Sequence, residues 1–194
     1  YLNNHKDINI DIYLYEGKKY YFRNITWVGN TKYNSELLSK VLNIQKGDVY
    51  NTVLLERNIS MNPDGLDVST LYLDDGYLFF NAIPIEKLIE GDSVDIEIRI
   101  IEKNQAKINK VKVTGNTRTG DEVIIRELST LPGEKFSRSD VIRSQRQLLQ
   151  LGYFNQEKMN VIPKANETDG SVDLEYVVEE TSSDQLELSV GWGS

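Results

Sequence analysis

The chain repeats itself. Val28-Gly29-Asn30-Thr31 returns as Thr114-Gly115-Asn116-Thr117, and at the same offset Lys46-Gly47-Asp48-Val49-Tyr50 returns as Pro132-Gly133-Glu134-Lys135-Phe136. At a shorter offset, Asp75-Gly76-Tyr77-Leu78-Phe79 is matched by Leu151-Gly152-Tyr153-Phe154-Asn155, and Val94-Asp95-Ile96-Glu97-Ile98 by Val172-Asp173-Leu174-Glu175-Tyr176. Four matches in one order mean one folding unit used in tandem. Each unit has about 80 residues, enough for a modest core without staples. Tandem small modules point to binding or scaffolding before catalysis.

Composition narrows the functional classes. The 22 basic residues are outnumbered by 30 acidic ones, and the net charge of −8 comes without a basic stripe, so nucleic acid is not an expected partner. The absence of cysteine excludes disulfides and thiolate metal sites. His5 is the only histidine, which rules out a histidine-based triad or a multi-histidine metal site. No Walker, dinucleotide or metalloprotease motif occurs. Asp95 with Glu97, and Asp173 with Glu175, share strand faces and read as solvated surface. No catalytic, cofactor or metal site is expected. No run of ~20 apolar residues and no signal peptide is seen. The first residues are already in mid-pattern, as in a piece excised from a longer chain.

The second repeat reads most clearly. Lys110 to Val113 alternates polar and apolar as a half-buried strand does, and Gly115-Asn116 turns the chain. A helix follows with Asp121 as its expected N-cap and Ile124, Leu128 and Leu131 as one apolar stripe, stopped by Pro132-Gly133. Ser137 with Asp140 three residues on resembles a capping box for a second helix, which puts Val141, Leu148 and Leu149 on one face and ends at Gly152. Tyr153 and Phe154, like Tyr77 in the first copy, are expected to pack beneath the sheet. Met159 to Pro163 is a short strand, Asn166 to Gly170 a polar turn, and Ser171 to Glu180 an alternating strand.

The fold class is therefore α+β: two tandem β-α-α-β-β modules, each a three-stranded mixed sheet with two helices on one face. The first copy follows this plan with Leu37, Leu38, Val41 and Leu42 on its first helix. Its second helix starts near Asn51 or Thr52, is broken around 61–66 by Asn62-Pro63-Asp64-Gly65, and resumes through Val68 to Leu73. That insertion is more simply filler than a binding element. The connection from Glu102 to Ile108 is short, and its Lys and Asn content suggests exposure. Upstream, Asp7 to Gly17 alternates strictly, like the closing strand of a preceding module.

Both copies carry a proline in their second strand, Pro84 and Pro163. Proline lacks the ladder N–H and is confined to edges, bulges and strand starts, so the second strand is the expected edge and the third the centre. An open edge can accept an extended polypeptide through main-chain bonds. Ala82, Ile83, Pro84 and Ile85, with Val161, Ile162 and Pro163, are the candidate client-binding residues. Prolines that merely blunt the edge against aggregation are the alternative.

The ordered motifs carry a resemblance. Gly115-Asn116-Thr117-Arg118, Arg126-Glu127-Leu128, Gly133-Glu134-Lys135-Phe136, Gln150-Leu151-Gly152-Tyr153-Phe154 and the closing Val178-Glu179-Glu180 make this copy similar to the POTRA domains of BamA-type outer-membrane protein assembly factors of Gram-negative bacteria, and to the last, barrel-proximal one in particular. The resemblance implies residues 1–19 as the tail of a preceding module, 20–104 and 105–181 as two POTRA modules, and 182–194 as the start of a first barrel strand. Leu186, Leu188, Val190 and Trp192 alternate there as lipid-facing residues do, an ordinary soluble strand being the other reading. It further implies a periplasmic location at the outer membrane, continuity with a β-barrel, and partners among unfolded outer-membrane proteins and accessory lipoproteins. In the family the first helix of the barrel-proximal module faces such a lipoprotein, which makes Arg126 and Glu127 candidate partner contacts. A solvated ion pair worth under ~1 kcal/mol is the other reading. A related secretion or translocation barrel, or a generic α+β periplasmic scaffold module, are the alternatives to an assembly factor.

Overall fold

A computed structural model describes residues 10–166 and 168–181. The first module runs β1 (Tyr21–Val28), α1 (Ser35–Leu42), α2 (Thr52–Glu56, extended by a π-helical turn over Arg57–Met61), α3 (Val68–Asp74), β2 (Asn81–Glu90) and β3 (Ser93–Ile101). The second runs β4 (Ile108–Thr114), α4 (Asp121–Ile125), α5 (Arg138–Gln150), β5 (Asn160–Asn166) and β6 (Ser171–Val177). The strand orders are β1-β3-β2 and β4-β6-β5. In each sheet the first strand lies parallel to the centre and the second antiparallel. The third strand of each copy is central and the proline-bearing strand is an edge, as the prolines require.

Alternation decides which face is buried. Val94, Ile96, Ile98 and Ile100 point into one core and Val172, Leu174, Tyr176 and Val178 into the other. The opposite parity meets water and is laced with ion pairs: Arg23 holds Asp95 at 2.8 Å, and Lys164 holds Glu175 at 2.5 Å. Leu38, Leu42, Leu55, Ile59, Val68 and Tyr72 roof the first core. Ile124, Leu128 and Leu148 roof the second. Fully burying a side chain of this size stabilises by about 1.5–3 kcal/mol.

Polar caps set the helix starts. The side chains of Asn34, Asn51, Asp67 and Ser137 accept the backbone N–H three residues on. Gly152 takes the left-handed conformation after α5 (φ 74). Asp121 is not a cap: Gly120 holds that position without a side-chain bond, and the Asp121 carboxylate instead accepts Asn116 Nδ2 at 2.7 Å. The stripe through Leu131 is also cut short. The chain leaves helical geometry after Ile125 because Ser129 N–H turns to Ser144 Oγ (2.8 Å) and Thr130 shares a buried hydroxyl contact with Tyr176, so Leu128 still reaches the core while Leu131 stays 46% exposed. Leu149 points away from the second core, and of the pair after α5 only Phe154 packs inward, with Tyr153 51% exposed. Tyr77 packs as expected on the first core.

The connection is only partly exposed. Lys103 to Gln105 face water, but Ala106 is fully buried, donates its N–H to Gly76 O (2.7 Å) and accepts Phe136 N–H (3.0 Å). Residues 10–19 pair with no strand among the described residues, and Ile10, Ile12 and Leu14 lie open; a strand forms only with a neighbour to take its main-chain groups. Residues 1–9 and the alternating 182–194 segment lie outside the described residues.

Candidate interaction surfaces

The two edges of each sheet are treated differently. The start of β1 is covered by the segment Gly47–Tyr50: Phe22 N–H donates to Asp48 O (2.9 Å), Gly47 N–H to Phe22 O (2.7 Å) and Tyr50 N–H to Tyr20 O (2.7 Å). In the second module Ile108 N–H donates to Glu134 O (2.8 Å) and Gly133 N–H to Ile108 O (2.7 Å). This is the structural work of the repeated Lys-Gly-Asp-Val-Tyr and Pro-Gly-Glu-Lys-Phe motifs, a role that their sequence did not disclose. No such segment bonds the outer side of β2 or β5 among the described residues.

Along those outer strands, Pro84 lies opposite Ile98 and Pro163 opposite Leu174. Ile83 and Ile162 are 41% and 37% exposed, while Ala82, Ile85 and Val161 are half-buried. Beside β2 a groove of about 170 Å³ separates the strand from α2, lined by Tyr50, Leu55, Pro84 and Ile96. The Tyr50 hydroxyl donates to the Glu86 carboxylate there, and burial together with that bond pushes the phenol well above its ordinary range.

Arg126 and Glu127 sit in the turn after α4. Arg126 Nε meets Glu127 Oε1 at 3.1 Å, with the Arg126 side chain 67% exposed. They form a solvated pair between sequence neighbours, available to a partner.

Two carboxylates that sequence reasoning did not single out close the repeated turn. Glu102, just past β3, accepts the N–H groups of Thr31 (2.8 Å) and Lys32 (2.9 Å) and the Thr31 hydroxyl. Glu180, just past β6, accepts the Thr117 hydroxyl (2.8 Å) and the N–H groups of Arg118 (3.0 Å) and Thr119 (2.7 Å). Burial pulls the Glu102 carboxyl up, but the loop donors outweigh it and hold it below its ordinary range; Glu180 is held lower still, first by Thr117. The signal was available: both glutamates close the third strand of their repeat. Between latch and strand runs Gly29 or Gly115, whose missing side chain is required because a Cβ would lie 2.3 Å from Ile100 O or 1.9 Å from Val178 O.

The modules meet at the ends of α3 and α5. Asp74 accepts Ser139 N–H (2.7 Å) and Ser139 Oγ (2.6 Å). Asp75 is shared by Lys135 of the second module (2.5 Å) and Lys32 of the first (2.6 Å), and these cations hold it below its ordinary range. Arg138, in the first turn of α5, reaches back to the buried Asp67 (3.4 Å). Leu73, Leu78 and Phe79 pack against the second core. Asp75, Leu78, Phe79 and Lys135 belong to the repeated motifs, but their part in the junction was not legible in the sequence, since it depends on the other module. Among the described residues no cluster of His, Cys, Asp or Glu could hold a metal ion, and no helix is long and apolar enough to cross a membrane.

Two α+β units with matching latches and matching covered edges define a tandem-module protein. The chain belongs to the POTRA family, whose model, described as a surface antigen variable number repeat, matches residues 20–103 and 106–181. It is 29% identical over 184 residues to the outer membrane protein assembly factor BamA of Neorickettsia risticii, covering 93% of this chain and 23% of that protein. It is 33% identical over 119 residues to BamA of Neisseria meningitidis, covering 60% of this chain and 15% of that protein. The chain thus spans less than a quarter of the length of these relatives. The fold matches the POTRA3-5 crystal structure of Haemophilus influenzae BamA with a TM-score of 0.72 at 17% identity, over 85% of this chain and 63% of that one. It matches Haemophilus ducreyi BamA lacking POTRA domains 1-3 with a TM-score of 0.64 at 20% identity, over 84% of this chain and 30% of that one. The chain is a POTRA region of the kind found in BamA-type outer-membrane assembly factors.

Proposed function

We propose that these modules form a non-catalytic periplasmic arm of an outer-membrane protein assembly factor, one that takes up extended segments of unfolded outer-membrane proteins by strand addition at β2 and β5. The observation that carries this reading is the asymmetry of the edges. In both modules the first strand is bonded at its start by a covering segment, while the proline-marked second strand has no such cover among the described residues. Added strands take main-chain bonds from the edge and so tolerate varied client sequences. Ala82 to Ile85 and Val161 to Pro163 are the contact residues. Arg126 and Glu127 serve a different partner, an accessory lipoprotein of the assembly complex. A location at the periplasmic face of the outer membrane, next to a barrel in the same polypeptide, accompanies this reading.

NMR titration with peptides from barrel strands tests it. Amide shifts are expected along Asn81–Glu90 and Asn160–Asn166. Saturable binding that leaves those amides unmoved excludes edge capture.

A further inference from the structure

Beyond the edges, the junction of the modules leaves a second concavity. A groove of about 680 Å³ runs between the inserted loop at Pro63–Leu66, the outer side of α3 and the outer face of α5. A smaller concavity of about 210 Å³ continues it toward Leu149 and Met159, and the two share Ile142 and Arg146 as walls. Ile142, Arg146 and Leu149 stand at i, i+4 and i+7 on α5, so the wall presents apolar, cationic and apolar groups over two helical turns, about 10.5 Å. None of them belongs to the second core, and Leu66 on the facing loop is 74% exposed.

The charges of the groove are not all spent internally. Asp67 and Asp74 are used by Arg138 and Ser139. Arg143 pairs with Asp140 at 3.1 Å on its own helix. Arg146 has no ion-pair partner among the described residues, although it stands in the middle of the apolar wall. Asp64, at the far end beside Leu66, likewise has none. Arg146 and Asp64 are exposed, and an occupant with an acid at the centre, apolar side chains to either side and no acid at the Asp64 end complements them. An amphipathic helix meets this with residues at i, i+4 and i+7 of its own, laid along the groove.

We infer that the inter-module groove is a docking site for an amphipathic helix of a partner protein that carries an apolar–acidic–apolar stripe, its acid on Arg146 and a basic residue toward Asp64. The insertion that distinguishes the first module then has a purpose: it builds the wall opposite α5. This site shares no residue with β2, β5 or the Arg126–Glu127 pair, so its failure and the failure of edge capture are separate results.

The test uses the chain as it stands and a labelled model helix of about 15 residues with Leu, Glu and Leu at i, i+4 and i+7 and an Arg at one end, long enough to hold helix when docked. Fluorescence anisotropy should show saturable binding, with NMR shifts at Gly65, Leu71, Ile142 and Leu149. Arg146→Glu should weaken binding about fivefold or more, as expected for reversing one partly exposed pair. A peptide with Lys in place of its Glu should recover that loss on the variant. Leu66→Asp, at a side chain that is 74% exposed, should weaken the same peptide. The inference is overturned by an absence of saturable binding, by affinity indifferent to both variants, by shifts confined to residues 81–90 and 160–166, or by self-association of the chain in place of peptide binding.

Discussion

Asp74, the last residue of α3, accepts the backbone N–H of Ser139 in the first turn of α5 at 2.7 Å. A carboxylate from one module thus caps a helix of the other. Ser137 already accepts Asp140 N–H, so the cap is shared across the junction. The charge also lies at the positive end of a thirteen-residue helix. Asp74→Ala should cost about 1 kcal/mol, the usual worth of a helix cap. Because the bond joins the modules, the loss should appear as broadening or splitting of a single thermal transition as well as a lower midpoint. Calorimetry of the variant checks this; an unchanged, single transition would remove the joint from the stability of the second module.

Two glycines with nearly the same backbone separate strain from collision. Gly115 (φ 93) and Gly133 (φ 91) both occupy the left-handed region. A side chain at Gly133 meets nothing within 4 Å, whereas one at Gly115 lies 1.9 Å from Val178 O. Gly133→Ala should therefore cost only the conformational strain, about 1 kcal/mol. Gly115→Ala must also displace the end of the central strand and should cost several times that, about 3 kcal/mol or more. Urea unfolding of the pair measures the difference. Equal losses would mean that the turn does not need the close approach.

What the sequence disclosed follows from local physics. Alternation exposed the central strands, since Val172, Leu174 and Tyr176 bury at period two once neighbouring strands take up their main-chain groups. Pro84 and Pro163 named the edges because the constraint on proline is covalent. Ser137 caps as read and the helix after Asn51 starts where expected, because a helix start needs only its own next turn. The failures were tertiary. Asp121 had the right type for a cap but was drawn to Asn116, and the helix through Leu131 gave way to bonds from Ser129 and Thr130 toward α5 and Tyr176. Asp74, Asp75 and Arg138 acquire meaning only when the second module stands beside the first. Of the surfaces, the edges were legible and the inter-module groove was not, because its walls come from the insertion and from α5.

The latch carboxylates set a direction for pH. In the folded chain Glu102 and Glu180 are both held below their ordinary value of 4.5, so they bind protons less readily than in the unfolded chain. Their contribution is fully present above that value and is lost as pH falls below it toward the lowered folded values. Asp95 with Arg23 and Glu175 with Lys164 act in the same sense. Thermal midpoints should be nearly level in these groups from neutral pH down to about 5 and then decline. Glu180→Gln should lower the plateau and flatten part of the decline, because the amide has no proton to take up. A variant whose acid limb runs parallel to the parent's would show that Glu180 is not among the groups that titrate with unfolding.

Glu127→Lys distinguishes partner contact from structure. The pair Arg126–Glu127 joins adjacent residues in an exposed turn, and its loss leaves no buried group without a partner. Stability should stay within about 0.5 kcal/mol of the parent, as for surface changes away from caps and cores. If the turn docks an accessory lipoprotein, the reversed charge should weaken that one partner in a quantitative pull-down while peptide binding at β2 and β5 stays unchanged. A variant that loses folding, or that binds the lipoprotein as the parent does, withdraws Arg126 and Glu127 from the interface and leaves them as solvated surface.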